Sequence, residues 1–295
     1  MRTALNALTD ELRRLKTTGI KSVSVSEAGL LALRSVIRSR QNSSSVAVNV
    51  TVPMRAITAP PMPVSKPKVV EPKLPAPPVV NLTAGDKAGR WAALVAAIQS
   101  DPVALAHLPP GKKIVCGTGN LDARILFIGD APGLEEEAEG EPFVGPAGQL
   151  LTKMIGAMGL KRSEVYLASL MTWRPDATSP AASAPIGHRG PTDEEMRYCL
   201  PYLRAQIEIV QPTLLVALGS SAAQGLLGSS AFKALGEVRG EWREFSGCPL
   251  MVTYHPSYIL RNQSNRSKRM IWEDLLKVME RAALPISEKQ RAFFL

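Results

Sequence analysis

The sequence is poor in cysteine. Its 295 residues include only Cys116, Cys199 and Cys248, which are far apart and odd in number. This usage excludes a disulfide framework and fits a reducing cytoplasm. No Cys-x-x-Cys pair occurs, so the spacing of the cysteines indicates no thiolate metal site.

Long apolar runs are also missing. No run approaches the ~20 residues that a membrane-spanning helix needs. The N-terminus, "MRTALNALTDELRRLK", carries acids and regularly spaced leucines in place of an uninterrupted apolar core, which is not typical of a signal peptide. We therefore expect a cytoplasmic protein that does not contact a membrane.

Acidic residues are scarce in the first third of the chain. Residues 1–85 hold twelve Lys and Arg against four Asp and Glu, whereas residues 86–295 hold twenty-three against twenty-two. The net charge of +9 therefore belongs mostly to the first third. A basic charge of the whole chain does not by itself predict that the folded part binds nucleic acid.

The composition divides the chain into four predicted parts. Residues 1–42 predict a small α–β–α unit, which is too short to bury a core alone and should dock on a partner or on the main domain, or oligomerise. Residues 43–86 are rich in proline and nearly free of acids, which predicts a basic, disordered linker. The main domain is predicted over residues 87–285, and a C-terminal tail over residues 286–295.

Strands and helices alternate through the main domain. The apolar segments "ARILFI", "VYLASLM", "TLLVALG" and "PLMVTYHP" predict four strands separated by stretches of helical periodicity. This pattern predicts an α/β fold, a three-layer α/β/α sandwich with a four-stranded, mostly parallel central sheet. Ligand sites in such folds lie beyond the carboxyl ends of the strands. The loops after the first, third and fourth strands should therefore meet in one crevice.

The first of these loops is acidic. "GDAPGLEEEAEGEPFVGPAG", residues 129–148, packs six carboxylates into twelve residues. It contains neither the Walker pattern nor Gly-x-Gly-x-x-Gly, and its carboxylates argue against a polyphosphate cradle. Hard cations bind carboxylates, but three consecutive glutamates cannot all point at one ion, so most of them are expected to be solvated. Asp130 and Glu136 are the best placed to act as a general base or to position water.

The other two loops carry different chemistry. His255 directly follows the fourth strand in "TYHPS", where a ligand contact and a structural role are about equally supported. Gly219, Ser220 and Ser221 stand where a helix begins after the third strand. Backbone N–H groups and the helix dipole attract a phosphate at such a position, and simple N-capping uses the same residue types.

Taken together, these segments resemble family 4 uracil-DNA glycosylases. "GDAPGLEEEAEGEPFVGPAGQLL", the Arg-Pro after the second strand, "PTDEEMRYCLPYL", "LGSSAA" and "TYHPSYILR" occur in the order and spacing of that family. The resemblance extends from about Leu105 to Ala283. It implies a DNA repair enzyme that takes a deaminated base out of the stack. Hydrolysis of the N-glycosidic bond would then leave an abasic site.

The resemblance also implies roles for single residues. Asp130 and Glu136 match the acidic, water-handling positions, and His255 matches the stabiliser of the leaving group. Phe143 matches the aromatic residue that stacks on the flipped base, and the implied base-binding residues are Gly129, Ala131, Phe143 and Ser169. The segment from Pro256 to Arg261 matches the loop that enters the minor groove. The implied DNA-binding residues are Gly219, Ser220, Ser221, Pro256, Ser257, Arg261, Arg266, Lys268 and Arg269.

The chain departs from the family at a cofactor. Family 4 members hold a [4Fe–4S] cluster with four cysteines. The first two form a Cys-x-x-Cys pair ahead of the first strand, but Asp101–Leu108 contains no cysteine here. Trp173 stands at the position of the third cysteine. Only Cys199 matches. One thiolate cannot hold a cluster, so we expect no metal and no cofactor. Trp173 and apolar neighbours would fill the volume, and Cys199 would pack as a small hydrophobic residue.

A second departure concerns the substrate. Ser169 stands where the family has an Asn whose amide reads the uracil imide edge, and a hydroxyl cannot reproduce that paired donor and acceptor. The loss is worth ~1–3 kcal/mol of discrimination. Asp130 is also one methylene shorter than the Glu that is common there. The alternative function is therefore a catalytically weak or inactive DNA-binding member, and a hydrolase of free nucleosides is a third interpretation.

The chain ends in "EKQRAFFL". Gln290, Phe293 and Phe294 resemble the short peptides by which bacterial repair proteins bind the sliding clamp, and the competing interpretation is a tail that docks on its own domain. We expect a nucleoid-associated monomer whose main partner is single- or double-stranded DNA.

Overall fold

The computed structural model describes residues 74–82, 84–175 and 189–295. The predicted unit over residues 1–42 and most of the predicted linker lie outside the described residues. None of the described helices is both long enough and apolar enough to cross a membrane.

The described residues form helices, strands and two short 3-10 turns. The helices are α1 Lys87–Gln99, α2 Pro102–Ala106, α3 Leu134–Glu139, α4 Pro146–Ala157, α5 Asp193–Val210, α6 Ser220–Leu227, α7 Pro256–Arg261, α8 Asn265–Arg281 and α9 Glu288–Arg291. The strands are β1 Thr118–Gly119, β2 Ile125–Gly129, β3 Tyr166–Ser169, β4 Leu214–Leu218, β5 Trp242–Phe245 and β6 Cys248–Thr253. Short 3-10 turns cover Arg162–Glu164 and Leu235–Glu237.

The described strands form one six-stranded sheet in the order β1-β3-β2-β4-β6-β5. Its central strands β3, β2, β4 and β6 are parallel to one another, and they are the four strands that the sequence predicts. Two short antiparallel strands, β1 beside β3 and β5 beside β6, extend the sheet at its edges. The predicted α/β class is confirmed, and the sheet is two strands wider than predicted.

Helices cover both faces of the sheet, because alternate side chains of a strand point to opposite faces. In β2, Leu126 and Ile128 join a core cluster with α5 and α6, whereas Ile125 and Phe127 join a cluster with α4 and α8. Burial on both faces explains why the central strands are uninterrupted apolar runs. The arrangement is the predicted three-layer sandwich.

The acidic stretch after β2 contains helix α3, although its glycine and proline content predicts a loop. Gly133 is the N-cap, and the Glu136 carboxylate accepts a hydrogen bond from its N–H at 3.0 Å. Gly140 ends the helix with a left-handed φ of 78°. The positive end of the helix dipole favours acids in the first turn, so part of the acidic density stabilises this short helix.

Packing of the domain begins before the predicted boundary at residue 87. Leu74, Val80 and Leu82 pack against a third core cluster, formed mainly by α1 and α5. The Leu74 backbone N–H also donates to the Glu194 carboxylate at 2.9 Å. The last part of the predicted linker therefore lies on the domain, because its few apolar side chains meet an apolar surface there.

The C-terminal segment also packs on the domain. The Gln290 side-chain amide donates to the Ala157 carbonyl at 2.8 Å, and the Gln290 carbonyl accepts from the Trp272 indole at 2.6 Å. The rings of Phe293 and Trp272 lie 5.2 Å apart. These are the contacts of a tail docked on its own domain. Clamp binding through Gln290, Phe293 and Phe294 stays a prediction.

Candidate active site

A cavity of about 570 Å³ opens beyond the carboxyl ends of the parallel strands. All three loops that the sequence places at this edge contribute to its wall. The predicted site residues that line it are Asp130, Ala131, Glu136, Phe143, Ser169, Gly219, Ser220, Ser221, His255, Ser257 and Arg261. Gly129 lies behind the Phe143 ring, and the buried Pro256 begins α7.

Asp130 is the first residue after β2. Its backbone carbonyl accepts from the Met171 N–H at 3.0 Å, which continues the pairing of β2 with β3 and fixes the main chain. Its Oδ1 accepts from the Ala131 N–H at 3.0 Å. A carboxylate can accept several hydrogen bonds, so Asp130 can also orient a water molecule in the cavity.

Glu136 is held differently. Its Oε2 accepts from the Gly133 N–H and its Oε1 from the Gly145 N–H, both at 3.0 Å. The side chain is 8% exposed. It therefore ties the N-terminus of α3 to the residue that precedes α4, and its geometry suits positioning of the loop.

The remaining glutamates of this stretch differ in their surroundings. Glu135, Glu139 and Glu141 are exposed, as expected, but Glu137 is 1% exposed and its Oε2 accepts from the Arg174 Nε at 3.0 Å. The Arg-Pro motif after the second predicted strand supplies this arginine. The expectation of solvated glutamates was wrong for Glu137, because the helical turn of α3 points it inward, which a loop would not do.

Phe143 forms an aromatic wall of the cavity. Its ring centroid lies 6.2 Å from that of His255, with 29° between the ring planes. The ring covers Gly129, where an added Cβ would lie only 2.7 Å from the Phe143 Cζ. A side chain at Gly129 would therefore displace the ring, which explains the need for glycine at the end of β2.

His255 is the N-cap of α7, and its Nδ1 accepts from the Ser257 N–H at 3.2 Å. The Ser257 hydroxyl lies 2.8 Å from the same nitrogen. Because Nδ1 accepts, a neutral imidazole carries its proton on Nε2. Burial lowers the pKa of His255 below its ordinary 6.5, the Asp130 charge opposes this shift, and the Arg261 charge adds to it. The ring is thus a neutral Nε2–H donor at pH 7.

Ser169 closes the pocket on the side of β3. It is the last residue of that strand, pairs in register with Gly129, and is 7% exposed. Its hydroxyl is much shorter than an amide side chain, so the cavity is wider at this point than an Asn would leave it.

Leu260 and Arg189 also line the cavity, although the sequence patterns assign neither of them a role of its own. Leu260 lies in α7, where an apolar side chain would normally turn inward, yet it is 41% exposed. Arg189 precedes α5 and forms an ion pair with the buried Glu195. The sequence shows two adjacent apolar residues, Ile259 and Leu260, between His255 and Arg261. Only the structure shows that Ile259 is buried and Leu260 is exposed.

The predicted cationic footprint divides into two parts. Arg261 and Arg266 are exposed. Arg269 instead donates from Nη1 to the carbonyls of Arg291 and Phe293 at 2.7 and 2.9 Å, and the Lys268 Nζ lies 6.0 Å from the centroid of Phe294. Lys268 and Arg269 therefore contact the C-terminal segment.

Comparison with known proteins places the chain in a family. Residues 116–276 match the model of the uracil DNA glycosylase superfamily. The chain belongs to this superfamily. It is 40% identical over 167 residues to the type-4 uracil-DNA glycosylase of Thermotoga maritima. The aligned residues make up 56% of this chain and 80% of that protein.

Two further relatives are similar over stretches of comparable length. The type-4 uracil-DNA glycosylase of Saccharolobus solfataricus is 38% identical over 176 residues, or 57% of this chain and 76% of that protein. The type-5 uracil-DNA glycosylase of Pyrobaculum aerophilum is 32% identical over 175 residues, or 56% of this chain and 73% of that protein. The region that matches the superfamily model contains β1 to β6, and hence the strands that bound the cavity.

The resemblance to family 4 implies a [4Fe–4S] cluster, but the residues at the implied positions do not fit one. Trp173 and Cys199 are fully buried in the third core cluster, and Trp173 stacks on His107 with 5.1 Å between ring centroids. Burial raises the pKa of Cys199 to about 12, and no second cysteine stands at these positions. Among the described residues, no group of three or more His, Cys, Asp and Glu side chains is arranged to hold a metal ion.

A hydrogen-bonded carboxylate braces this region. Asp101, which is 4% exposed, accepts from the Tyr198 hydroxyl at 2.9 Å and from the Tyr202 hydroxyl at 3.0 Å. Its Oδ1 also caps α2 through the Val103 N–H at 2.9 Å. Both tyrosines belong to α5, so this network joins α2 to α5.

We expect Trp173→Ala to lower the free energy of unfolding by about 3–5 kcal/mol, because it empties a fully buried site. Chemical denaturation followed by circular dichroism measures the loss. Trp242→Ala, on the half-buried edge strand β5, is the matched control and should cost less. A chelator should leave the wild-type transition unchanged. Stoichiometric iron in the purified protein would contradict this account.

Proposed function

We propose that this protein is a DNA glycosylase that excises uracil, or another deaminated base, from DNA. The observation that carries the proposal is the meeting of Asp130, Phe143 and His255 in one cavity at the sheet edge. The Thermotoga and Saccharolobus relatives are both type-4 uracil-DNA glycosylases, and this similarity supports the reaction.

The cavity suits a base that has left the helical stack. A flipped base needs an apolar face to stack on and polar groups along its edge. Phe143 supplies the apolar surface for stacking. The Ser169 hydroxyl and the main chain at Ala131 supply polar groups for the edge of the base. The α/β scaffold holds these groups on strand ends, which are more rigid than free loops.

The reaction replaces the C1′–N1 bond by a C1′–O bond from water. As the bond breaks, its electron pair leaves with the base, and positive charge develops on the sugar. The Asp130 carboxylate stabilises that charge and accepts the proton of the attacking water. The Nε2–H of neutral His255 donates to the pyrimidine O2, where negative charge develops on the leaving base. The proton taken up by Asp130 then passes, through solvent, to the base anion. The products are the free base and an abasic site, and Asp130 is again a carboxylate.

Groups at the rim suit a DNA backbone. Ser220 and Ser221 present the N-terminus of α6 to the cavity, where N–H groups and the helix dipole favour a phosphate. Arg261 and Arg266 add exposed positive charge, and we assign phosphate contacts to these two cations. Leu260 is placed to fill the gap that the flipped base leaves.

Purified protein incubated with single- and double-stranded oligonucleotides that carry one uracil, hypoxanthine or xanthine tests this proposal. Alkali cleaves at any abasic site, and the fragments are resolved by size. We expect cleavage of the uracil strand. DNA that is bound but left intact for all three bases would favour the alternative, a DNA-binding member without excision, for which Ser169 is the supporting observation.

Ser169→Asn tests the base-reading role of this position. The amide would supply both a donor and an acceptor to the uracil imide edge. We expect kcat/KM for uracil to rise about tenfold, which corresponds to ~1.4 kcal/mol. Ser169→Ala, the matched control, should not raise it. An unchanged preference among uracil, hypoxanthine and xanthine in Ser169→Asn would remove Ser169 from base recognition.

A further inference from the structure

Phe143 has an unusual backbone conformation. Its φ is +57°, a left-handed region that bulky side chains seldom occupy. The residue is nevertheless 6% exposed, and its ring is a wall of the cavity. A strained conformation at a functional position persists only when the surrounding structure fixes it.

Glycines explain only part of this fixation. Gly129 leaves room for the ring, and an added Cβ at Gly148 would overlap the Phe143 carbonyl. These glycines permit the conformation, since they remove obstacles. They do not hold it, because they make no directed bond to the strained residue.

Arg162 does make directed bonds to it. Its Nη1 donates to the Phe143 carbonyl at 3.0 Å and its Nη2 to the Pro142 carbonyl at 2.7 Å. The same guanidinium lies 3.5 Å from the Glu141 carboxylate and 3.4 Å from the Thr152 hydroxyl. One planar, forked cation thus contacts three consecutive residues of the chain that carries the aromatic ring.

This arginine belongs to a different part of the structure. It begins the 3-10 turn between α4 and β3, and it is not among the residues that line the cavity. Any effect of Arg162 on the reaction must therefore pass through the backbone of residues 141–143.

We propose that Arg162 is a positioning residue that holds Phe143 in its left-handed conformation and so sets the plane of the ring on which the flipped base stacks. This inference rests on the proposed function, since it assigns a substrate contact to Phe143. A lysine cannot replace the arginine fully, because one ammonium group cannot reproduce the two-pronged geometry toward two carbonyls.

Single-turnover excision of uracil from a single-stranded oligonucleotide, measured over a range of enzyme concentrations, tests the proposal. Arg162→Ala should raise the half-saturating concentration and lower the overall efficiency by about 10–100-fold, as misplacement of a binding group by about 1 Å does. Arg162→Lys should lie between Ala and wild type. A merely structural loss would reduce the active fraction, seen as the reaction amplitude, and leave the half-saturating concentration of the remaining enzyme unchanged.

Arg124→Ala is the matched control. Arg124 also donates to a backbone carbonyl, that of Ala282 at 2.7 Å, but at the opposite end of β2. It should leave excision unchanged. Phe143→Ala completes a double-mutant cycle. Because Arg162 acts through Phe143, adding Arg162→Ala to Phe143→Ala should cause little further loss, and additive losses would overturn the proposal.

Binding separates failure of this inference from failure of the proposed function. The wild type should bind an oligonucleotide with a non-hydrolysable 2′-fluoro uracil nucleotide more tightly than one with an abasic analogue, and Arg162→Ala should lose that preference. If the wild type excises uracil and Arg162→Ala does so with equal efficiency, the role of Arg162 is wrong and the proposed function stands. A wild type that neither excises nor prefers the uracil analogue would overturn both.

Discussion

Replacing Asp130 by Asn is expected to lower the rate of uracil excision about 10³-fold, in the range lost with a general base. Asn keeps the size of the side chain, and its Oδ1 can still accept from the Ala131 N–H. It loses the negative charge that stabilises the sugar cation and the basic oxygen that takes a proton from water. Single-turnover kinetics on a uracil oligonucleotide measure the loss.

Glu135→Gln is the matched control for this variant. Glu135 also lines the cavity but is exposed on the first turn of α3. We expect its removal to change the rate by no more than about twofold, since exposed charges interact weakly through water. Equal losses in Asp130→Asn and Glu135→Gln would show that only the overall negative charge along the cavity wall matters.

Replacing His255 by Ala should lower the rate about 10²–10³-fold, which is typical when one donor to a developing negative charge is lost. The backbone of α7 should persist, although its N-cap bond from the Ser257 N–H is lost. Among uracil, hypoxanthine and xanthine, the rate of excision should fall most for uracil, because the uracil anion needs a donor at O2. An unchanged rate would remove His255 from the mechanism.

The pH dependence of excision should carry the signature of a neutral His255. Burial lowers the pKa of this imidazole below 6.5, so the neutral form predominates above pH 6.5 and the midpoint of its titration lies at lower pH. We therefore expect no midpoint from His255 between pH 8 and pH 6.5. Its protonation at lower pH puts a proton on Nδ1, which disrupts the bond from Ser257 and lowers the rate.

Variants shift this acidic inflection in opposite directions. The Arg261 charge lowers the pKa of His255 and the Asp130 charge raises it. Arg261→Ala should therefore move the inflection to higher pH. Asp130→Asn should move it to lower pH within its residual activity. If the inflection has the same pH in Arg261→Ala as in the wild type, it belongs to a group other than His255.

Much of the fold follows from sequence patterns. The four central strands are buried on both faces, so they appear as uninterrupted apolar runs that a surface helix would not give. Their parallel arrangement makes Asp130, Gly219 and His255 neighbours at one edge, although they are far apart in the chain. The order of strands and loops along the chain was therefore enough to predict that these loops meet in one crevice.

The edges of the sheet were harder to predict. β5 is half exposed, and its sequence "WREF" is too short and polar to stand out. Its turn was the missed signal. Ser246 and Gly247 have φ values of 51° and 76°, which fit the two-residue turn that joins hairpin strands.

Side-chain partners at the site could not be predicted. Neighbouring glutamates have the same composition but different surroundings. Glu136 binds two backbone N–H groups, Glu137 pairs with Arg174, and Glu135 is exposed. Which one turns inward depends on the exact start of α3, and helix ends are the least predictable part of a sequence pattern. Arg162 likewise gives no local signal, since its carbonyl partners precede it by about twenty residues.

The most direct test of this account is the release of free uracil from a single-stranded oligonucleotide. The full-length protein should be produced in a host without a uracil-DNA glycosylase of its own, and the Asp130→Asn, His255→Ala double variant should be purified in parallel. We expect the wild type to release one free uracil per uracil nucleotide and to leave an abasic site. We expect the double variant to bind the same DNA without releasing the base. Equal release by the two proteins, or none by the wild type on any deaminated base, would contradict it.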